Sequence, residues 1–127
     1  MVTIFVCVSC RPQTEASAEE PARPGIELAD RLHAQLAEQA RSDVVVRRVD
    51  CLAVCERPCT VALAGEGKWT YLIGDIDPHL HADDILASAL KVACSANGIV
   101  PLRERPAAFR RGVIARVPPL SFGSEEA

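Results

Sequence analysis

The chain of 127 residues is long enough for one hydrophobic core and short for two, and its composition of 49% hydrophobic and 24% charged residues is typical of a globular domain. The formal charge of −3 lacks the basic excess that binding to nucleic acid or anionic lipid requires, so a basic partner fits it better. No apolar run approaches the roughly 20 residues of a membrane-spanning helix, and the apolar N-terminus lacks signal-peptide features, so we expect a cytoplasmic protein with no membrane segment.

The chain contains six cysteines, a high number for a cytoplasmic domain of this size. Glutathione keeps cytoplasmic thiols reduced, which argues against a framework of disulfides. The cysteines are therefore better explained as metal ligands, redox-active thiols or buried core residues.

The first half of the chain is predicted to form a strand, a helix and a second strand. Residues 2–8 are uniformly apolar and β-branched, as in a strand covered on both faces, and residues 11–25 have a proline-rich loop composition. Leucines at helical spacing predict an amphipathic helix over residues 26–41, and Val44–Val49 is a β-branched run. A helix of crossover length between two strands predicts that they are parallel neighbours.

The second half is predicted to form a hairpin and a helix. Thr60–Ala64 and Lys68–Ile73 are strands joined by a glycine turn, and a helix begins near Asp83 and ends near Gly98. The element order is therefore β-α-β-β-β-α. We expect an α/β fold of the thioredoxin-like type, with helices packed on a mixed four-stranded sheet.

The sequence after Gly98 changes in composition. Five arginines and four prolines in residues 99–119 predict an extended arm that lies on a surface. The expected organisation is one domain over residues 1–98 and an extended, Arg- and Pro-rich C-terminal arm over residues 99–127. Trp69 and Tyr71 alternate on a strand and so share one side, where we expect them to pack against the core or the arm.

Four cysteines follow the two parallel strands. Cys7 and Cys10 stand at the end of the first strand, and Cys51 and Cys55 come just after the second. Because the carboxyl ends of parallel neighbours meet, these residues are predicted to converge at one edge of the sheet. Thiolates select zinc, Cu(I) or iron-sulfur clusters over hard cations.

Other interpretations of the cysteines remain open on spacing alone. Structural zinc commonly uses closely spaced cysteine pairs, of which this sequence has two. A thioredoxin-type redox pair of Cys7 and Cys10 is a further alternative, although the residues after Cys10 do not begin a helix. Cys94, on the apolar side of the second predicted helix, is expected to be a buried core residue.

Several runs of sequence together resemble a known family. They are Phe5-Val6-Cys7-Val8, Cys51-Leu52-Ala53-Val54-Cys55, Gly65-Glu66-Gly67-Lys68-Trp69-Thr70-Tyr71, and Asp77-Pro78 ahead of Asp83-Asp84-Ile85-Leu86. Over most of residues 2–97 the chain resembles the thioredoxin-like [2Fe-2S] ferredoxins and the equivalent small subunit of respiratory complex I. More narrowly, the motif Cys51-Leu52-x2-Cys55-x-Arg57-Pro58-Cys59-Thr60 is similar to an uncharacterised bacterial family of predicted metal-binding proteins.

The resemblance implies a [2Fe-2S] cluster as cofactor, with zinc as the alternative. Cys7, Cys51 and Cys55 match the ferredoxin pattern. A cluster of this kind needs four thiolates, and we assign Cys10 as the fourth by proximity. The related ferredoxins take this ligand from a loop well downstream of the first, where this chain has no cysteine, so Cys59 is the alternative ligand.

The function implied is that of a one-electron carrier, not an enzyme, which docks on a redox partner protein through that partner's basic face. Related ferredoxins pair, so the resemblance also implies a homodimer. The alternatives are a zinc or labile-cluster protein for metal homeostasis or delivery, and a thiol-disulfide oxidoreductase. The sequence contains no nucleophile elbow, phosphate loop or zinc-hydrolase motif.

Overall fold

A computed structural model describes residues 2–8, 24–39, 42–52 and 59–120 of the chain. In chain order the elements are β1 (Val2–Cys7), α1 (Pro24–Gln39), β2 (Val44–Val49), β3 (Val61–Gly65), β4 (Thr70–Ile73), α2 (Ala82–Cys94), a 3-10 helix (Leu102–Glu104), α3 (Ala107–Gly112) and β5 (Val113–Val117). The predicted order of elements is confirmed as far as α2. None of the helices within these ranges has both the length and the apolar character needed to span a bilayer.

The strands form one mixed sheet in the order β2-β1-β3-β4-β5. β1 and β2 are parallel, with Val2 opposite Val44 and Cys7 opposite Val49. The other neighbouring strands are antiparallel. The predicted parallel pair and the predicted hairpin of β3 and β4 are therefore confirmed.

Both long helices cover the same face of the sheet. α1 and α2 each contact β1 and also contact each other. Val2, Ile4 and Val6 of β1 are fully buried on this face, in one core with the α1 leucines. Alternate residues of a strand point to opposite faces, so Thr3, Phe5 and Cys7 belong to the face that these helices leave uncovered.

The C-terminal segment corrects the prediction. Within the described residues the sheet has five strands rather than four, and residues 102–117 of the arm form two short helices and a strand instead of an extended segment. α3 and β5 follow the 3-10 helix, and β5 pairs with β4. Phe109 of α3 is fully buried, and its ring meets that of Tyr71 edge to face at 4.8 Å. Pro101 and Pro106, which suggested extension, instead stand immediately before the two short helices. A proline there removes no helical hydrogen bond.

Two arginines of the arm stack on aromatic rings. The Arg105 guanidinium lies 5.3 Å from the ring centroid of Tyr71 and 5.0 Å from that of Phe109. Arg116 of β5 lies 4.6 Å from the ring centroid of Trp69. Trp69 and Tyr71 thus both contact the arm, as predicted. The cation–π contacts add to the stabilisation that burial of the rings provides.

Replacing Phe109 by alanine should lower the free energy of unfolding by about 3–5 kcal/mol, because the ring is fully buried. Urea-induced unfolding measures the change. Leu120→Ala is the control, since Leu120 is fully exposed and its loss should leave stability nearly unchanged. Equal stability of the two variants would show that the arm is not part of the core.

Candidate metal centre

Three cysteines, Cys7, Cys51 and Cys59, lie at the sheet edge where β1 and β2 end and β3 begins, which we call the cysteine edge. The Cys7 N–H donates to the Thr60 carbonyl at 3.1 Å, and the Val8 N–H donates to the Val49 carbonyl at 3.0 Å. These bonds hold the end of β1 between the other two strands. Cys51 stands two residues after Val49, the cross-strand neighbour of Cys7, so the structure brings Cys7 and Cys51 to the same edge.

The two cysteines differ in exposure. Cys7 is 1% exposed and closes β1 on the uncovered face of the sheet, whereas Cys51 is exposed. One thiol is therefore shielded from water and the other lies at the surface. A centre that both held would lie near the surface.

Cys59 lies at the cysteine edge but belongs to the core. Its backbone N–H donates to the Ile76 carbonyl at 3.2 Å and its carbonyl accepts from the Ile76 N–H at 3.0 Å. Its side chain is 1% exposed and packs in the core with Val61 and Leu63. By strand alternation Cys59 shares their helix-covered face, and Cys7 belongs to the opposite face.

The remaining predicted ligands, Cys10 and Cys55, lie outside the described residues. Among the residues that the structure describes, no group of three or more His, Cys, Asp or Glu side chains is placed to hold a metal ion. Cys7 and Cys51 suit a soft metal by their chemistry. They supply two of the four thiolates that a [2Fe-2S] cluster needs.

Gly25, which no predicted motif contains, determines how closely α1 approaches Cys7. A Cβ at Gly25 would lie 1.9 Å from the Cys7 carbonyl oxygen and 3.0 Å from the Val8 Cα. Only a residue without a side chain fits there. The one signal in the sequence is a glycine directly after Pro24, at the start of a helix where alanine is intrinsically preferred.

The close approach brings the first turn of α1 against the end of β1. The first turn of a helix carries unpaired N–H groups and a partial positive charge. Negative charge on thiolates is favourable near such a turn, although the effect falls off within the turn itself. The turn faces the backbone of Cys7, whereas the Cys7 side chain belongs to the opposite face of the sheet.

Cys94 does not have the buried position expected for it. It is the last residue of α2 and is exposed. It borders a cleft of about 430 Å³, together with Lys91, Val100 and Glu104. Since α2 begins near the cysteine edge and runs away from it, Cys94 lies at the far end of that helix from Cys7 and Cys51.

The fold is similar to that of the thioredoxin-like [2Fe-2S] ferredoxin from Aquifex aeolicus. One structure of that ferredoxin aligns with a TM-score of 0.58 and 21% identity, covering 95% of this chain and 97% of that chain. The wild-type crystal structure gives a TM-score of 0.56 and 19% identity, with coverage of 90% and 96%. A crystal structure of a cysteine-to-serine variant gives 0.59 and 20%, with coverage of 91% and 99%. The predicted thioredoxin-like fold is confirmed.

A family model also matches the sequence. The family described as "Protein of unknown function (DUF1636)" matches residues 4–119, which include every helix and strand given above except the first two residues of β1. No curated protein matches the chain.

Replacing Gly25 by alanine should lower the free energy of unfolding by more than about 1 kcal/mol, because the new methyl group would collide with backbone. Helix propensity alone favours alanine over glycine by about 1 kcal/mol. A loss of stability in Gly25→Ala would therefore show that the collision outweighs the gain in propensity. Chemical unfolding measures it.

The matched control is Ala37→Gly, at an exposed position of the same helix. This change should cost about 1 kcal/mol through propensity alone. If Gly25→Ala is as stable as the parent protein or more stable, α1 does not approach Cys7 as closely as described.

Proposed function

The chain belongs to the family described as protein of unknown function (DUF1636), and we propose that it is an electron carrier that binds a [2Fe-2S] cluster at the cysteine edge. The observation that carries the proposal is the position of Cys7 and Cys51 at the ends of neighbouring parallel strands. The fold is shared with a [2Fe-2S] ferredoxin, which favours a cluster over zinc.

The proposed ligands are Cys7, Cys10, Cys51 and Cys55, so each strand end supplies two thiolates. We propose Cys10 rather than Cys59 because Cys59 packs into the helix-covered core, away from the face of Cys7. To bind with Cys7, Cys59 would have to leave a site where it is 1% exposed. Removing a buried side chain from a packed core is costly.

The chain's own residues then have separate tasks. The buried Cys7 anchors the site to the central strand, and the exposed Cys51 brings it to the protein surface. When bound, the cluster supplies one-electron redox chemistry, and its potential depends on hydrogen bonding and solvent exposure. The protein is thus proposed to be a carrier rather than an enzyme.

The exposure of Cys51 also favours a second candidate function, the delivery of zinc or of a labile cluster. An exposed ligand is accessible to the thiolates of a recipient protein, whereas a buried one is not. In that function the site would release its contents rather than retain them.

Anaerobic purification should yield a coloured protein with iron and acid-labile sulfide in equal amounts, measured by chemical analysis and visible absorption. Colourless protein with bound zinc would instead support the second candidate. Protein that contains no iron, sulfide or zinc and that turns over as a dithiol reductase would support a thiol-disulfide oxidoreductase.

Single Cys→Ser variants test the ligand set. Cys7→Ser, Cys10→Ser and Cys51→Ser should each lose most of the cluster absorption, because each removes a thiolate. Cys59→Ser should keep it, at a cost of roughly 1–3 kcal/mol in stability for placing a hydroxyl in the core. Cys94→Ser is the control and should change neither property. A normal cluster in Cys10→Ser with a lost cluster in Cys59→Ser would show that Cys59 is the fourth ligand.

A further inference from the structure

A small cavity lies at the end of the sheet that carries the cysteine edge, on the side of β4 and β5. β4 ends there because its last residue, Ile73, pairs with the first residue of β3. The cavity has a volume of about 220 Å³, and its polar lining residues are Asp75, His81 and Arg111. An apolar cavity of about 150 Å³ holds benzene, so this one suits a ligand of about six to ten non-hydrogen atoms.

Backbone contacts hold the walls of the cavity. The Gly74 N–H donates to the Gly112 carbonyl at 2.8 Å, and a Cβ at Gly112 would lie 2.6 Å from the Gly74 carbonyl oxygen. The Ala108 N–H donates to the Asp84 carboxylate at 3.1 Å, which fixes the start of α3 on α2. The cavity is therefore preformed, as binding sites for small molecules usually are.

His81 contributes a hydrogen-bond donor. Its Nδ1 accepts from the Asp77 N–H at 2.9 Å. In a neutral imidazole one nitrogen accepts and the other carries the proton, so Nε2 is the donor here. Nε2 has no hydrogen-bond partner among the residues that the structure describes, which leaves it able to donate to a ligand.

Arg111 contributes a positive charge. It lies in the last turn of α3 and is exposed. Arg111 and Asp75 line the same cavity, yet within the described ranges Arg111 forms no ion pair with Asp75 or with any other residue. A guanidinium matches a carboxylate with two parallel hydrogen bonds. Arg111 is therefore available to a ligand that carries a carboxylate.

Asp75 contributes an acceptor. Its φ of 58° lies in the left-handed region, which residues other than glycine adopt rarely and Asp and Asn adopt most readily. Backbone conformations of this kind cluster at functional sites. Because an ionised carboxylate only accepts hydrogen bonds, the cavity combines two donors with an acceptor.

We propose that this cavity binds a small carboxylate that also carries a hydrogen-bond donor, either a hydroxy acid or an amino acid. The ligand's carboxylate pairs with Arg111 and accepts from Nε2 of His81, and its hydroxyl or ammonium group donates to Asp75. The negative charge of Asp75 disfavours an anion that lacks such a donor. The inference does not depend on the proposed function, since none of the three residues is a proposed ligand at the cysteine edge.

L-Lactate, L-alanine and propionate, which are similar in size, are the probes. Saturation-transfer difference NMR with the purified full-length protein measures the dissociation constant of each compound. L-Lactate or L-alanine should bind more tightly than propionate, which has no donor for Asp75. Tighter binding of lactate identifies hydroxy acids as the ligand class, and tighter binding of alanine identifies amino acids.

Substitutions assign the binding to the cavity. Arg111→Gln should raise the dissociation constant of the preferred compound about tenfold, because it removes charge-assisted hydrogen bonds to the carboxylate. Arg110→Gln is the matched control, since Arg110 is the neighbouring exposed arginine of α3 and does not line the cavity. Asp75→Asn should reduce the preference over propionate, and asparagine tolerates the left-handed backbone.

Loss of binding in Arg111→Gln and its retention in Arg110→Gln would support the proposal. Equal effects of the two substitutions would contradict it, because only the net charge would then matter. Propionate that binds as tightly as lactate and alanine would overturn the role of Asp75. Failure of both lactate and alanine to bind at millimolar concentrations would overturn the site. None of these results depends on the iron content of the protein, which tests the proposed function separately.

Discussion

The parallel pairing of β1 with β2 is the constraint on which the proposed site depends. Because Cys7 lies opposite Val49 in this register, the chain after β2 must start beside the end of β1, and Cys51 follows within two residues. Crossing between parallel strands requires a long connection, which α1 supplies. The start of α1 passes so close to the end of β1 that only glycine fits at position 25. The parallel pairing thus brings Cys7 and Cys51 to one edge of the sheet, with the start of α1 against the Cys7 backbone.

The cysteines differ in the face of the sheet to which they belong and in their exposure to solvent. Cys59 packs with the helices in the core, whereas Cys7 closes β1 on the other face and Cys51 is exposed. The C-terminal segment adds to the helix-covered side, where Phe109 and Arg105 contact the ring of Tyr71. The contacts on that side therefore stabilise the fold. The ends of β1 and β2 carry the candidate site.

Much of this arrangement could be predicted from local patterns. The leucines of α1 and the β-branched run of β2 have strong periodicity, which specifies both the elements and their parallel pairing. The conformation of the arm was harder to predict, because its prolines and arginines are typical of an extended segment. Its short helix and strand are stabilised by contacts with Tyr71 and Trp69, which are distant in sequence. The role of Gly25 and the exposure of Cys94 depend on distances between elements, and periodicity carries no information about those. Spacing also could not decide between Cys10 and Cys59 as the fourth ligand. Strand alternation bears on that choice, because it puts Cys59 on the face of the sheet opposite Cys7.

The central claim is that the cysteine edge holds a [2Fe-2S] cluster that accepts and releases one electron. Electron paramagnetic resonance of the protein, purified anaerobically and then reduced with dithionite, tests it most directly, because a reduced cluster contains a coupled ferric–ferrous pair with a net unpaired spin. We predict a signal that appears on reduction, disappears on reoxidation and is lost in Cys7→Ser and Cys51→Ser. A protein that stays silent on reduction, or a signal that survives both substitutions, would contradict the account.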